Sequence, residues 1–242
     1  MRVAIITGVS HGLGEALAID LLARDFRVFG IGRNASPRLE QPNYAFVRCD
    51  LAEPVSIAGR VASSLVAIAA ARPSGVCLIN NAATIEAVGV LGDLDAARIV
   101  ASIDVNLAAP IVLANLFCNA FRDDAIERRI INVSSGAAQS TLPGEALYCV
   151  AKAGLEMLTR SLADEIRSPR FAAITLRPGV IDTPMQAFAR SQPRTVLPSV
   201  DLFKGFHAGG QLQPPHVVAR KVVDRLILAP VENGRTYTYA EL

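Results

Sequence analysis

The stretch Val3–Gly14 reads V-A-I-I-T-G-V-S-H-G-L-G: an apolar run, then glycines at Gly8, Gly12 and Gly14. An amphipathic pattern starts at once, with Leu13, Leu17, Leu21 and Leu22 at helical spacing. This predicts a buried strand, a glycine turn and a helix. Such a turn aims the backbone N–H groups of Ser10, His11, Gly12, Leu13 and Gly14, and the positive end of a helix, at one spot. A phosphate fits there. Glycine is required because the chain turns sharply and a pyrophosphate must approach the backbone closely.

A second reading uses the same residues. Gly8-Val9-Ser10-His11-Gly12 also fits G-x-S-x-G, the nucleophile elbow of serine hydrolases. His207 or His216, with Asp182 or Asp201, would complete a triad in the right chain order. Position argues against it, because a hydrolase elbow follows several strands and this one follows the first. A serine hydrolase is kept as the distant alternative.

The 242 residues suit one domain with a sizeable core, and 51% of them are hydrophobic. The net charge is +2 and no basic block or basic–aromatic interleaving occurs, so no nucleic-acid partner is expected. Cys49, Cys77, Cys118 and Cys149 stand singly in apolar runs without metal-ligand spacing. They read as reduced thiols of a cytoplasmic protein, consistent with a chain that enters its first strand without a signal peptide. Ile99–Phe121 is apolar enough for a membrane span, but it carries Asp104, Asn106, Asn115 and Asn119. Those residues make a bilayer core costly, so a helix buried against a sheet and a second subunit is expected instead, in a homodimer or homotetramer.

Strands are expected at Arg27–Ile31, Tyr44–Cys49, Val76–Ile79, Arg129–Val133, Phe171–Leu176 and Thr236–Tyr239, about seven with the first. Helices are expected at Glu53–Ala71, from Asp93 to about Phe121, at Tyr148–Ile166 and at Val217–Leu228. Met185–Pro215 reads as an irregular lid. This alternation predicts an α/β fold, a doubly wound parallel sheet of Rossmann type in a single domain, residues 1–242. Ligands of such sheets sit at the carboxyl ends of the strands. There the sequence places Gly8–Gly14, Arg33, Asp50, Asn80, Ser135 and Pro178–Gly179.

Tyr148 and Lys152 stand four apart, on one helix face. A neighbouring ammonium favours the phenolate and makes a tyrosine a tunable proton donor or acceptor. Lysine occurs only at positions 152, 204 and 221, so with four tyrosines a chance Y-x-x-x-K is expected about 0.05 times. Ser135, thirteen residues upstream at a strand end, is placed to meet a carbonyl oxygen beside the Tyr hydroxyl. Asn106 lies inside an apolar helix; a buried amide needs partners, so it either ties backbone together or holds a water.

These residues resemble a classical short-chain dehydrogenase/reductase over nearly the whole chain. Thr7-Gly8-x3-Gly12-x-Gly14 matches that family's cofactor loop, and Asn80-Asn81-Ala82 its central-strand motif, with Ala83 where glycine is usual. Asn106, Ser135, Tyr148 and Lys152 match the catalytic tetrad; Pro178-Gly179-x3-Thr183 matches the nicotinamide-side motif. Within the family, I-T-G-V-S-H-G-L-G-E-A, Y-C-V-A-K-A-G and P-G-V-I-D-T-P-M-Q are similar to bacterial benzil reductases, relatives of sepiapterin reductase.

The resemblance implies that Tyr148 passes a proton to a carbonyl oxygen as hydride arrives. Lys152 would lower the Tyr148 pKa and hold the nicotinamide ribose. Ser135 would polarise the carbonyl, and Asn106 would hold a relay water. Asp50 and Leu51 would lie at the adenine, Asn80 and Ala82 at the ribose side, and Ile181 and Thr183 at the carboxamide. His11 stands where many NADPH-dependent members carry Arg or Lys. Thr238 falls where pterin reductases carry a carboxylate, which argues against a pterin substrate. Gly32 supplies no acid at the second strand's end, and Arg33 supplies a donor fork suited to a 2′-phosphate. The expected protein is an NADP(H)-dependent carbonyl reductase acting on a small-molecule ketone or diketone. A catalytically silent NADP-binding regulatory protein is the alternative.

Overall fold

The computed structural model describes Met1–Leu242. Seven strands form one parallel sheet: β1 (Arg2–Thr7), β2 (Arg27–Gly32), β3 (Tyr44–Arg48), β4 (Gly75–Asn80), β5 (Glu127–Val133), β6 (Phe171–Arg177) and β7 (Thr236–Thr238). Their order is β3-β2-β1-β4-β5-β6-β7, the doubly wound order, which reverses direction between β1 and β4. Val3–Ile6 are buried because both sheet faces are covered.

One face is covered by α1 (Gly12–Leu22) and α8 (Pro215–Val222), packed through Leu13, Leu17, Leu21, Val218 and Val222. On the other lie α2 (Pro54–Ala70), α4 (Ala109–Ala120) and α5 (Ala146–Glu165), packed through Ile57, Val61, Leu113, Phe117 and Leu162. Each such side chain contributes about 1.5–3 kcal/mol on full burial. Arg129, on β5, donates to the carbonyls of Leu226, Ile227 and Ala229. It thereby satisfies acceptors that the helical segment ending there would otherwise leave bare.

Three sequence expectations change. The long helical stretch begins at Ala96, not Asp93, because Asp95 caps it by accepting from the Ala97 N–H. It runs as α3 (Ala96–Ile103), a π turn (Asp104–Ala108) and α4. By length and composition this helix is able to cross a membrane; here α4 rests on the sheet and on α2. The lid is not irregular: it holds α6 (Pro184–Ser191) and α7 (Val200–Ala208). Thr183 accepts from the Gln186 N–H and Pro184 opens the first turn, so α6 starts where its local chemistry allows.

Candidate active site

The carboxyl ends of β1, β2, β4, β5 and β6 lie along one edge of the parallel sheet. At β1 the chain leaves through Gly8, whose φ is 73°, and enters α1 at Gly12, whose φ is 65°. The Gly8 N–H donates to Ile31 O across to β2. Asn81, just after β4, clamps the turn: its Nδ2 donates to the carbonyls of Thr7 and Gly8. Thr7 Oγ1 accepts in return from the N–H groups of Asn81 and Ala82. A Cβ at Gly14 would lie 2.2 Å from Gly8 O, and one at Gly12 would lie 3.2 Å from Thr183 Cγ2. The turn is therefore folded too tightly for side chains, and Thr183 faces it from the β6 side.

Helix α5 carries Tyr148 and Lys152 to the same edge, where Lys152 reaches the end of β5. Ser134 Oγ donates to Glu156, whose carboxylate also takes a two-pronged contact from Arg177. These bonds lock α5 onto the ends of β5 and β6. Lys152 is 1% exposed, and its Nζ donates to Val133 O at 2.8 Å. Burial pushes the Lys152 ammonium down to about 8. Burial pushes the Tyr148 hydroxyl up, and Glu145 adds to this, while the Ser135 hydroxyl acts in the opposite direction. This departs from the expectation that Lys152 lowers the Tyr148 pKa. The ammonium lies 5.3 Å from the Tyr148 ring centroid and bonds to a carbonyl, so desolvation wins at both groups.

Asn106 is fully buried in the π turn. Its Oδ1 accepts from the Thr84 N–H, and its Nδ2 donates to Thr84 O and Ser102 Oγ. Of the two readings open in the sequence, the backbone tie is the one realised by the side chain. Both of its donors are committed, so its N–H groups serve the tie to Thr84 and Ser102. Asn80 is 2% exposed, and its Nδ2 donates to Asn132 Oδ1. Asn132 continues to Thr159, which also bonds Thr175. This buried chain ties β4, β5, α5 and β6 together and turns the Asn80 side chain into the sheet.

Leu13, Leu51, Pro178 and Ile181 are buried, which leaves backbone rather than side chain to meet a ligand. Asp50 accepts from the Ala52 N–H at the end of β3. Arg33 is exposed beyond β2 and makes no ion pair or hydrogen bond within the chain. The hydrolase reading fails on position: Ser10 follows the first strand of the sheet, and Asp201 pairs with Arg194. A feature absent from the sequence reading is the apolar wall. Ile85, Val88, Ala189, Leu197 and Val200 cluster there, and Tyr148, Met185 and Phe203 pack on them. Their signal was the helical spacing of α6 and α7, hidden among prolines and glycines.

The short chain dehydrogenase family model matches residues 2–194. The chain belongs to that family. It is 31% identical over 247 residues to the benzil reductase ((S)-benzoin forming) of Bacillus subtilis (strain 168), covering 100% of this chain and 99% of that protein. It is 34% identical to the sepiapterin reductase of Meriones unguiculatus over 78% of this chain and 77% of that one. Among solved structures it superimposes on the KRED1-Pglu enzyme with a TM-score of 0.84 at 28% identity, covering 98% and 100% of the two chains. Membership makes the chain an oxidoreductase that binds a nicotinamide dinucleotide. The site fits that group. His11 stands at the N-cap of α1 without a side-chain cap bond, so the first-turn N–H groups are free for phosphate.

Proposed function

We propose that the protein is an NADPH-dependent carbonyl reductase that reduces aromatic ketones and benzil-like diketones to alcohols. The observation that carries this reading is the seating of Tyr148. Its hydroxyl is close enough to Ser135 to be influenced by it, and its ring packs on the apolar cluster of Ile85, Val88, Ala189, Leu197 and Val200, on which Met185 and Phe203 also pack. An aryl ketone placed there buries its rings on that wall and turns its oxygen to the two hydroxyls. Hydride is the chemistry a reduced nicotinamide dinucleotide supplies when bound. Tyr148 Oη gives its proton to the carbonyl oxygen, and Ser135 Oγ orients that oxygen by a hydrogen bond. Lys152 holds its ammonium 5.3 Å from the Tyr148 ring centroid, fixed there by its bond to Val133 O. The raised Tyr148 pKa supports the direction, since the hydroxyl keeps its proton at neutral pH. Oxidation of NADPH in the presence of benzil, with an alcohol as product, tests the reading; no turnover of any aryl ketone would refute it.

Arg33 supports the choice of NADPH. It is unpaired at the end of β2, and a Cβ on Gly32 would lie 3.9 Å from the Gly8 N. A charge-assisted hydrogen bond is worth ~1.5–3 kcal/mol. Arg33→Ala is therefore expected to weaken NADPH about ten- to a hundredfold and to leave NADH nearly as it was. Gly32→Asp is expected to shift preference toward NADH. Steady-state kinetics with both cofactors decide; equal weakening of both by Arg33→Ala removes the phosphate clamp.

A homodimer or homotetramer is proposed as well. Val100 is 59% exposed on α3, Ile111 42% on α4, and Val150 and Met157 stand out from α5. Exposed apolar side chains on three neighbouring helices are the kind of surface a second subunit covers. Sedimentation at micromolar concentration is expected to show a species of at least two chains, and Ile111→Asp with Met157→Asp is expected to shift it toward monomer.

A further inference from the structure

Glu145 is a buried carboxyl that the proposed chemistry does not use. It stands at the N-cap of α5, three residues before Tyr148 and seven before Lys152. Seven residues are two helical turns, so Glu145 and Lys152 share a face and Tyr148 lies between them. The residue is only 4% exposed; Oε1 is buried without a partner, and Oε2 makes no hydrogen bond. A native structure rarely leaves such an atom bare without a use for it.

The backbone around Glu145 is held from both sides. Gly144 O accepts from the Gly89 N–H in the loop after β4, and Pro143 O accepts from the N–H and the hydroxyl of Ser199 in the lid. A Cβ at Gly144 would lie 3.0 Å from Leu197 and Pro198. Glu145 thus sits where α5, the β4 loop and the lid meet, the same junction that forms the apolar wall beside Tyr148. None of these contacts brings a cation. Tyr148 and Cys149, on its own helix, are the titratable groups that sense it, and burial alone pushes the Glu145 carboxyl up to about 7. A carboxyl without a countercharge in apolar surroundings keeps its proton. In that form it has one O–H to donate and asks for a neutral oxygen acceptor.

We infer that Glu145 is a specificity-determining residue whose carboxylic acid donates a hydrogen bond to a second oxygen of the substrate, the distal carbonyl of a 1,2-diketone. This rests on the carbonyl-reductase reading and sharpens it. Tyr148 and Ser135 hold the reacting oxygen, and Glu145, one turn away, holds its neighbour. The class selected is a vicinal dicarbonyl over a monoketone of the same shape.

The test compares benzil with deoxybenzoin, which keeps both rings and lacks the second oxygen, in wild type, Glu145→Leu and Glu145→Gln. In Glu145→Leu the benzil-to-deoxybenzoin ratio of kcat/KM is expected to fall about tenfold, the scale of one hydrogen bond. Glu145→Gln keeps an N–H donor and is expected to retain most of the ratio. The wild-type KM for benzil is expected to rise above about pH 7, where the acid ionises, whereas that of Glu145→Gln stays flat. Glu145→Leu removes an unpaired buried polar group, so its thermal midpoint is expected to hold or rise, which separates a specificity effect from misfolding. An unchanged ratio in folded Glu145→Leu overturns the inference. So does loss confined to an amino ketone, which would make Glu145 an anionic site for a cation. If wild type turns over neither compound, the carbonyl-reductase reading falls first and takes this one with it.

Discussion

Tyr148→Phe is expected to lower reduction of an aryl ketone by about 10²–10⁴-fold, the range for loss of a positioned general acid, while NADPH binding stays within about twofold. The substitution deletes one oxygen. The ring remains on the cluster that holds Ile85 and Val88, so packing and the approach of an aryl substrate persist. Lys152 keeps its bond to Val133 O, and the Gly8–Gly14 turn is remote from the lost hydroxyl. The deleted group is the half-buried donor whose raised pKa keeps it protonated at neutral pH and which the Ser135 hydroxyl influences in the opposite direction. NADPH fluorescence titration separates binding from turnover. Near-wild-type turnover with intact binding would remove Tyr148 as the proton donor and turn attention to Ser135.

Gly14→Ala is expected to weaken NADPH by at least about a hundredfold and to destabilise the fold by about 1–3 kcal/mol. The added methyl would lie 2.2 Å from Gly8 O and 2.5 Å from Asn81 Nδ2. Neither neighbour yields cheaply. Gly8 O is backbone in a left-handed turn, and Asn81 Nδ2 is bonded to the carbonyls of Thr7 and Gly8. Relief moves the start of α1 away from the turn, and with it the N–H groups that would hold a pyrophosphate. Gly59→Ala in the exposed part of α2 is the control, because its Cβ would meet nothing within 4 Å. That change is expected to stabilise by roughly 0.5–1 kcal/mol through lower backbone entropy in the unfolded chain. Thermal midpoints with and without NADPH read both effects. Normal NADPH binding by Gly14→Ala would refute the phosphate turn.

Much of the architecture is local, and so it was legible in the sequence. The apolar run, the three glycines and the leucines of α1 specify strand, turn and helix within 22 residues, and repetition of that unit requires a parallel sheet. Tyr148 and Lys152 are brought together by one helix, so their pairing needs no tertiary information. Arg33 and Asp50 stand at the expected strand ends for the same reason. The helices of the lid were missed because each is short and broken off by Pro and Gly, although Thr183-Pro184 is a start signal.

Other features belong to the packed molecule alone. Whether Asn106 ties backbone depends on Thr84, 22 residues away, and the turning of Asn80 into the sheet depends on Asn132 in the adjacent strand. The direction of the Tyr148 and Lys152 shifts is decided by how deeply both are buried, and adjacency on the helix suggested the opposite for Tyr148. Glu145 carries no sequence signal: in the chain it is one acid before a helix. The lid and the β4 loop bond the backbone beside it, Oε1 is left without a partner, and desolvation pushes its carboxyl up to about 7.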